Sequence, residues 1–108
     1  MSLTTSREPV LEAGESEFLK RHDAEAAFQT VCELVRTYFP ELRAINVWLL
    51  EDPDEDDHTW AVVHVFMPAA YSQEVLQEQL RRYHKELVKR LPFKYLPLFG
   101  LMTDFWRE

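Results

Sequence analysis

The chain has 108 residues, of which 46% are hydrophobic and 13% aromatic, a composition typical of one packed globular domain rather than of a disordered chain. Its net charge of −7 opposes bulk attraction to nucleic acid or to an anionic membrane surface. The single cysteine, Cys32, excludes an intrachain disulfide, and no apolar run approaches the roughly 20 residues of a membrane span, so we expect a cytoplasmic protein without membrane association.

The N-terminal part of the chain changes character near residue 16. Residues 1–15 are rich in Ser, Thr, Pro, Gly and Glu, which predicts a flexible arm ahead of one α+β domain over residues 16–108. A helix is expected to begin at Ser16 or at Asp23, because either side chain can accept hydrogen bonds from first-turn N–H groups. Pro40 ends this helix. Its apolar stripe consists of Ala24, Ala27, Phe28, Val31, Leu34, Val35 and Tyr38.

Two β-strands are predicted over residues 42–50 and 59–67, because both runs are rich in β-branched and aromatic side chains. Side chains on a strand alternate between its two faces. In both runs each face is largely apolar, so neither is clearly marked for solvent. Pro68 ends the second strand. The acidic stretch 51–58 is too long for a two-residue turn and is expected to project into water as a loop.

The second helix carries clear signals at both ends. Ser72 can cap its first turn, Tyr71 and Leu76 have the spacing of a hydrophobic staple, and Pro92 ends it. The aromatic tail then predicts either a third short strand within Leu98–Phe105 or an apolar arm across the hairpin. The expected fold is α+β, with two amphipathic helices packed on a small antiparallel sheet. The order is α-β-β-α-β, and the β-α-β half is expected to cross over in the right-handed sense.

Two helices can cover only one face of such a sheet, and the other face would remain a contiguous apolar patch. Monomers rarely expose patches of that size. The sequence therefore predicts an interface, either with a second copy through a two-fold contact or with another protein. The alternative is a monomer whose tail closes the second face. The residues predicted to form the interface are Trp48, Leu50, Trp60, Val62, His64, Phe66, Phe105 and Trp106.

The acidic loop is a weak candidate metal site. Asp52, Asp54 and Asp56 alternate as the first three ligands of an EF-hand loop do. The full pattern needs Gly at its sixth position and Glu at its twelfth, where this chain has Asp57 and Val63. A divalent-metal-dependent hydrolase or nuclease would use these aspartates together with His58 or His64. The competing explanation is a solvated loop that contributes to solubility.

The second helix also has a basic stripe, formed by Arg81, Lys85 and Lys89 at four-residue steps. Such a stripe could contact phosphates in a nucleic-acid-binding module. Glu78 and Glu86 interrupt it, however, and the protein as a whole is acidic. Alternating charges usually mark a solvated helix face.

No catalytic constellation stands out in the sequence. The two glycines, 86 positions apart, cannot form a phosphate-binding loop. Cys32 has no histidine placed beside it in sequence and is expected to be a buried, inert thiol. We therefore expect a non-catalytic protein–protein interaction domain with no cofactor; the metal-dependent hydrolase and the nucleic-acid-binding module are the alternatives.

Overall fold

The elements follow one another as the sequence predicts, in the computed structural model that describes residues 9–54 and 58–106. The fold is α+β, and the predicted order α-β-β-α-β is confirmed. No helix in these two ranges is both long and apolar enough to cross a membrane. The elements are α1 (Ala13–Arg21), α2 (Glu25–Tyr38), β1 (Ala44–Glu51), β2 (Thr59–Met67), α3 (Gln73–Arg90), a 3₁₀ helix (Phe93–Leu98) and β3 (Phe99–Phe105).

The three strands form one mixed sheet in the order β1-β2-β3. β1 and β2 are antiparallel, with Val47 opposite Val63. β3 runs parallel to β2, with Leu101 beside Val63. The long α3 connection makes this possible, because it returns the chain to the end of the sheet at which β2 begins. Of the two arrangements expected for the tail, the structure shows the strand. Just after β3, the Trp106 N–H donates to the Met67 carbonyl at 2.7 Å.

The N-terminal helix is divided in two, where the sequence predicts a single helix beginning at Ser16 or Asp23. α1 starts at Ala13, inside the predicted arm, while residues 1–8 lie outside the described ranges. Asp23 separates α1 from α2 and has a φ of 51°, in the left-handed region that Asp tolerates better than most residues. The Tyr95 hydroxyl donates to the Asp23 carbonyl at 3.0 Å and ties this turn to the 3₁₀ helix.

The C-terminal ends of the two amphipathic helices and the start of α3 agree with the sequence signals, whereas the N-cap of α2 is Ala24, which makes no side-chain cap hydrogen bond. α2 ends at Tyr38, before Pro40, and α3 ends at Arg90, before Pro92. The Ser72 hydroxyl accepts the Val75 N–H at 3.3 Å, as an N-cap residue does. These helices therefore form where local sequence rules place them, and tertiary packing decides only which side they present.

The core lies between the helices and one face of the sheet, which we call the inner face. Ile45, Val63, Val65 and Met67 are 0% exposed on this face and belong to one apolar cluster with the stripes of α2 and α3. Alternation along each strand puts every second residue here. On the side of the helices, Phe39 packs into this core, and the centroid of its ring lies 5.9 Å from that of Tyr83.

Phe39 should be essential to this core. The Phe39→Ala substitution is expected to lower the free energy of unfolding by about 3–5 kcal/mol, because it leaves a cavity in a fully buried site. Urea unfolding followed by circular dichroism measures the change. Phe93→Ala is the matched control, since Phe93 is 85% exposed and its loss should change stability by no more than about 0.5 kcal/mol. Equal effects at the two positions would contradict the packing described.

Candidate interaction surface

The second face of the sheet, which we call the outer face, is built from alternate residues of all three strands. The register places Trp48, Val62 and Gly100 in one row, and Asn46, His64 and Met102 in the next. The core cluster of the described residues includes none of the large apolar side chains of this face. These side chains are Trp48, Leu50, Trp60, Val62, Phe66, Met102 and, just beyond β3, Trp106.

Aromatic rings form a continuous row along the outer face. Trp106 meets Phe66 edge-on, with centroids 5.9 Å apart and planes at 90°. Phe66 packs against His64 at 4.2 Å, and His64 meets Trp48 at 6.4 Å in an edge contact. Edge-to-face and offset contacts of this kind are the favourable geometries for ring pairs. We call this row the ring ladder; it leaves Phe66 only 5% exposed.

Trp60 lies over a glycine at the other end of the face. A Cβ atom built on Gly100 would stand 3.3 Å from Cδ1 and 3.4 Å from Nε1 of the Trp60 indole. The missing side chain therefore gives the indole room to lie close to β3. On its other side the Trp60 ring meets His58, with centroids 5.1 Å apart. The chain thus covers part of its own outer face with its tryptophans.

The outer face remains uneven and only partly closed. Leu50 on β1 is 38% exposed and Met102 on β3 is 43% exposed, whereas Val62 on β2 is 3% exposed. The most exposed apolar side chains of the face therefore lie on its two outer strands. Trp48, Trp60 and Trp106 are half-buried. The surface is apolar and shaped, and it lacks a covering helix among the described elements.

His64 is the polar group at the centre of the ring ladder. Its Nε2 atom is buried and has no hydrogen-bond partner among the described residues, because Oδ2 of Asp104 lies 3.7 Å away, beyond hydrogen-bond distance. Burial lowers the pKa of His64 from its ordinary value, while the charge of Asp104 acts in the opposite direction. The imidazole is therefore neutral at pH 7.

Seven of the eight predicted interface residues lie on or beside the outer face, and Phe105 does not. β3 pairs Phe105 with Met67, an inner-face residue, and Phe105 packs against the core cluster. The reason is the two-residue period of the strand, which sends Phe105 inward and Asp104 outward. Whether the seven outer residues bind a partner stays a prediction.

The acidic loop shows ordinary turn chemistry where the structure describes it. An Asp52 carboxylate oxygen accepts the Asp54 N–H at 2.9 Å, which is a local Asx turn, and the Asp52 N–H donates to the His58 carbonyl at 2.9 Å. Asp56 lies outside the described residues. Within the described ranges, no group of three or more His, Cys, Asp or Glu residues could hold a metal ion. The metal-dependent hydrolase gains no supporting geometry from these residues.

A polar cleft of about 670 Å³ lies between α1 and the end of the β1–β2 hairpin. Glu17, Arg21 and His22 line it from α1, and Asp52 and His58 line it from the hairpin. Glu17 and Arg21 already form an ion pair at 3.7 Å. Sequence patterns did not predict this cleft, because they did not separate α1 from α2. The only local signal of a break between the two helices was Asp23, a residue type that tolerates a positive φ.

The basic stripe of α3 is exposed, and part of its charge is paired within the helix. Arg81 forms an ion pair with Glu78, and Arg82 Nε lies 3.1 Å from the same carboxylate. Lys85 and Lys89 are exposed to solvent. Such i,i+3 and i,i+4 pairs are typical of a solvated helix face, so the nucleic-acid hypothesis gains no observation here.

The close approach of the Trp60 indole to Gly100 on β3 can be tested directly. Gly100→Val would put methyl groups where the indole lies, so Trp60 should move outward and the tryptophan fluorescence emission should shift to longer wavelength. Gly14→Ala is a control for a glycine substitution, because no other described atom lies within 4 Å of a Cβ built there. Unchanged emission in a folded Gly100→Val protein would show that the indole does not rest on β3.

Known proteins offer no template for the outer face. Comparisons of the chain with family models, with curated proteins and with solved structures find no match. The support for a function therefore comes from the geometry of the surface itself, and above all from the aromatic sheet face.

Proposed function

We propose that this protein is a non-catalytic interaction domain that associates with a second copy of itself through the outer face. The observation that carries the proposal is an aromatic sheet face that no described helix packs against. Tryptophan, tyrosine and arginine anchors commonly dominate binding energy at protein interfaces. The half-buried Trp48, Trp60 and Trp106 supply such anchors on one side of the molecule.

Charge supports a second copy as the occupant. Each copy has a net charge of −7, so the repulsion between two copies is smallest when they meet through a surface that carries little of that charge. Within the described strands, Asp104 is the one formal charge on the outer face, since His64 is neutral. Depletion of charge is the compositional mark of the central part of an interface.

A two-fold contact would use the outer face of both copies. In such a contact the same patch serves both partners, so the exposed Leu50 and Met102 side chains of each copy would lie against the outer face of the other. Two sheets packed this way lie about 10 Å apart, with their side chains interdigitated.

The size of the face limits how much surface the contact can bury. Three strands about 4.8 Å apart and a central strand about 30 Å long give a flat footprint of about 400 Å². A standard interface buries about 800 Å² on each partner. We therefore expect a weak, reversible dimer.

The test places a charge at the exposed positions of the outer face, where substitution leaves the core intact. Leu50→Glu and Met102→Glu should each convert the dimer to a monomer, because two added carboxylates per dimer would be buried without partners. Sedimentation velocity over a range of protein concentrations measures the association. Val88→Glu is the matched control, since Val88 is 64% exposed on α3 and lies far from the outer face.

Two results would contradict the proposal. A wild-type chain that stays monomeric at millimolar concentration would exclude a second copy, and the face would then belong to a different apolar partner. A dimer that Leu50→Glu and Met102→Glu leave as strong as Val88→Glu does would place the contact on another surface.

A further inference from the structure

We propose that His64 and Asp104 form a proton-operated switch in the outer face, closed by an imidazolium–carboxylate contact in acid and open at neutral pH. Neutral His64 leaves the ring ladder uncharged. Protonated His64 puts a positive charge at its centre and draws the Asp104 carboxylate toward it. The control of association by this switch rests on the proposed function, whereas the switch itself is a property of the single chain.

The geometry holds the two groups just short of contact. Nε2 of His64 and Oδ2 of Asp104 are 3.7 Å apart, and a charge-assisted hydrogen bond would bring them to about 2.8 Å. The side chain of His64 is 16% exposed and that of Asp104 is 56% exposed. The carboxylate, at the edge of the sheet, is therefore the partner that is free to move.

The Asp104 carboxylate is already oriented for this movement. Its Oδ1 atom accepts the Phe105 N–H at 2.8 Å, which leaves Oδ2 as the atom nearest to the imidazole. Closing the pair requires a displacement of about 1 Å, which a turn of the half-exposed side chain can supply. The Phe105 amide consequently reports on the position of the carboxylate.

Few charged groups compete with Asp104 at this position. From β1, the neighbours of His64 on the outer face are Asn46 and Trp48, and from β3 they are Met102 and Asp104. Within β2 the same face holds Val62 and Phe66, both apolar. His58 also lies on this side, but it is six residues away, or about 20 Å along the chain direction. Asp104 is thus the charged neighbour of His64 among the described residues.

The sign of the pH effect follows from burial. Burial lowers the pKa of His64 below 6.5 and Asp104 offsets part of that change, so the folded chain binds the proton less readily than an unfolded one. The stability that comes from burying the neutral ring is present above pH 6.5 and is lost as the pH falls through the folded pKa. A second copy over the face would exclude more water and favour the neutral ring further, so acid should weaken the dimer.

Histidine titration by NMR between pH 5 and pH 8, at protein concentrations below those at which the chain associates, tests the switch in the single chain. In the wild type, the His64 ring protons and the Phe105 amide should shift together with one midpoint. In Asp104→Asn the His64 midpoint should move to lower pH, because the carboxylate no longer favours the imidazolium. The ring-proton signals of His58, at the far end of the face, should be the same in the two proteins at pH 7.5, as an internal control.

A second variant keeps the result interpretable. In His64→Gln, with its fold checked by circular dichroism, the Phe105 amide should lose its pH dependence over the same range. The switch is overturned if the Phe105 amide still shifts in His64→Gln, or if Asp104→Asn leaves the His64 midpoint unchanged.

The effect of pH on dimerisation is measured separately, by sedimentation at pH 7.5 and pH 5.5. From pH 7.5 to pH 5.5 the wild-type dimer should weaken several-fold relative to the His64→Gln dimer, because the change in net charge is nearly the same for both proteins. An acid effect that persists unchanged in His64→Gln would overturn the regulatory part. A chain that is monomeric at both values contradicts the proposed dimer and the regulation that rests on it, while the NMR titration decides the switch independently.

Discussion

The central strand β2 has apolar side chains on both faces, and the rest of the molecule depends on how those faces are removed from water. Val63, Val65 and Met67 on the inner face are 0% exposed, and Val62 and Phe66 on the outer face are 3% and 5% exposed. Burying a large apolar side chain contributes about 1.5–3 kcal/mol. The inner face is covered by α2 and α3, and the outer face is covered largely by the rings of its own strands and tail.

The C-terminal strand β3 contributes to both faces of the sheet. Because α3 returns the chain to the end of the sheet at which β2 begins, β3 pairs parallel to β2. The alternation of side chains along β3 then places Phe105 in the core. The same strand supplies Gly100 as the seat of Trp60 and presents Asp104 to His64. One short strand therefore completes the core, shapes the outer face and places its charge.

Local patterns are enough to predict most of the fold, because they are short-range. The Ser72 cap and the three- and four-residue apolar steps define α3 from its own sequence, and β-branched runs define β1 and β2. The break at Asp23 was not predicted, because an aspartate without a neighbouring Gly or Pro does not indicate a backbone in the left-handed region. Its conformation is held by a tertiary contact, the hydrogen bond from the Tyr95 hydroxyl.

The outer face could be predicted in composition but not in arrangement. Two-sided strands indicate that a second apolar face exists, yet only the β2–β3 register tells which tail residues join it. Phe105 and Asp104 exchange sides if that register moves by one residue. The contact between His64 and Asp104, 40 positions apart in the chain, depends on the same register. Long-range pairing is thus the information that single-sequence patterns lack.

Partial closure of the outer face explains why one proton can matter to the proposed contact. The ring ladder already covers Phe66, and Val62 is also buried, so a second copy would bury only the area that remains. A small gain in buried apolar area gives a modest association energy, against which the cost of desolvating an imidazolium is large. A face covered by a helix would give the same histidine no such influence. In the proposed dimer the charge state of His64 would therefore have a large effect, because the monomer already covers much of the apolar area that the contact could bury.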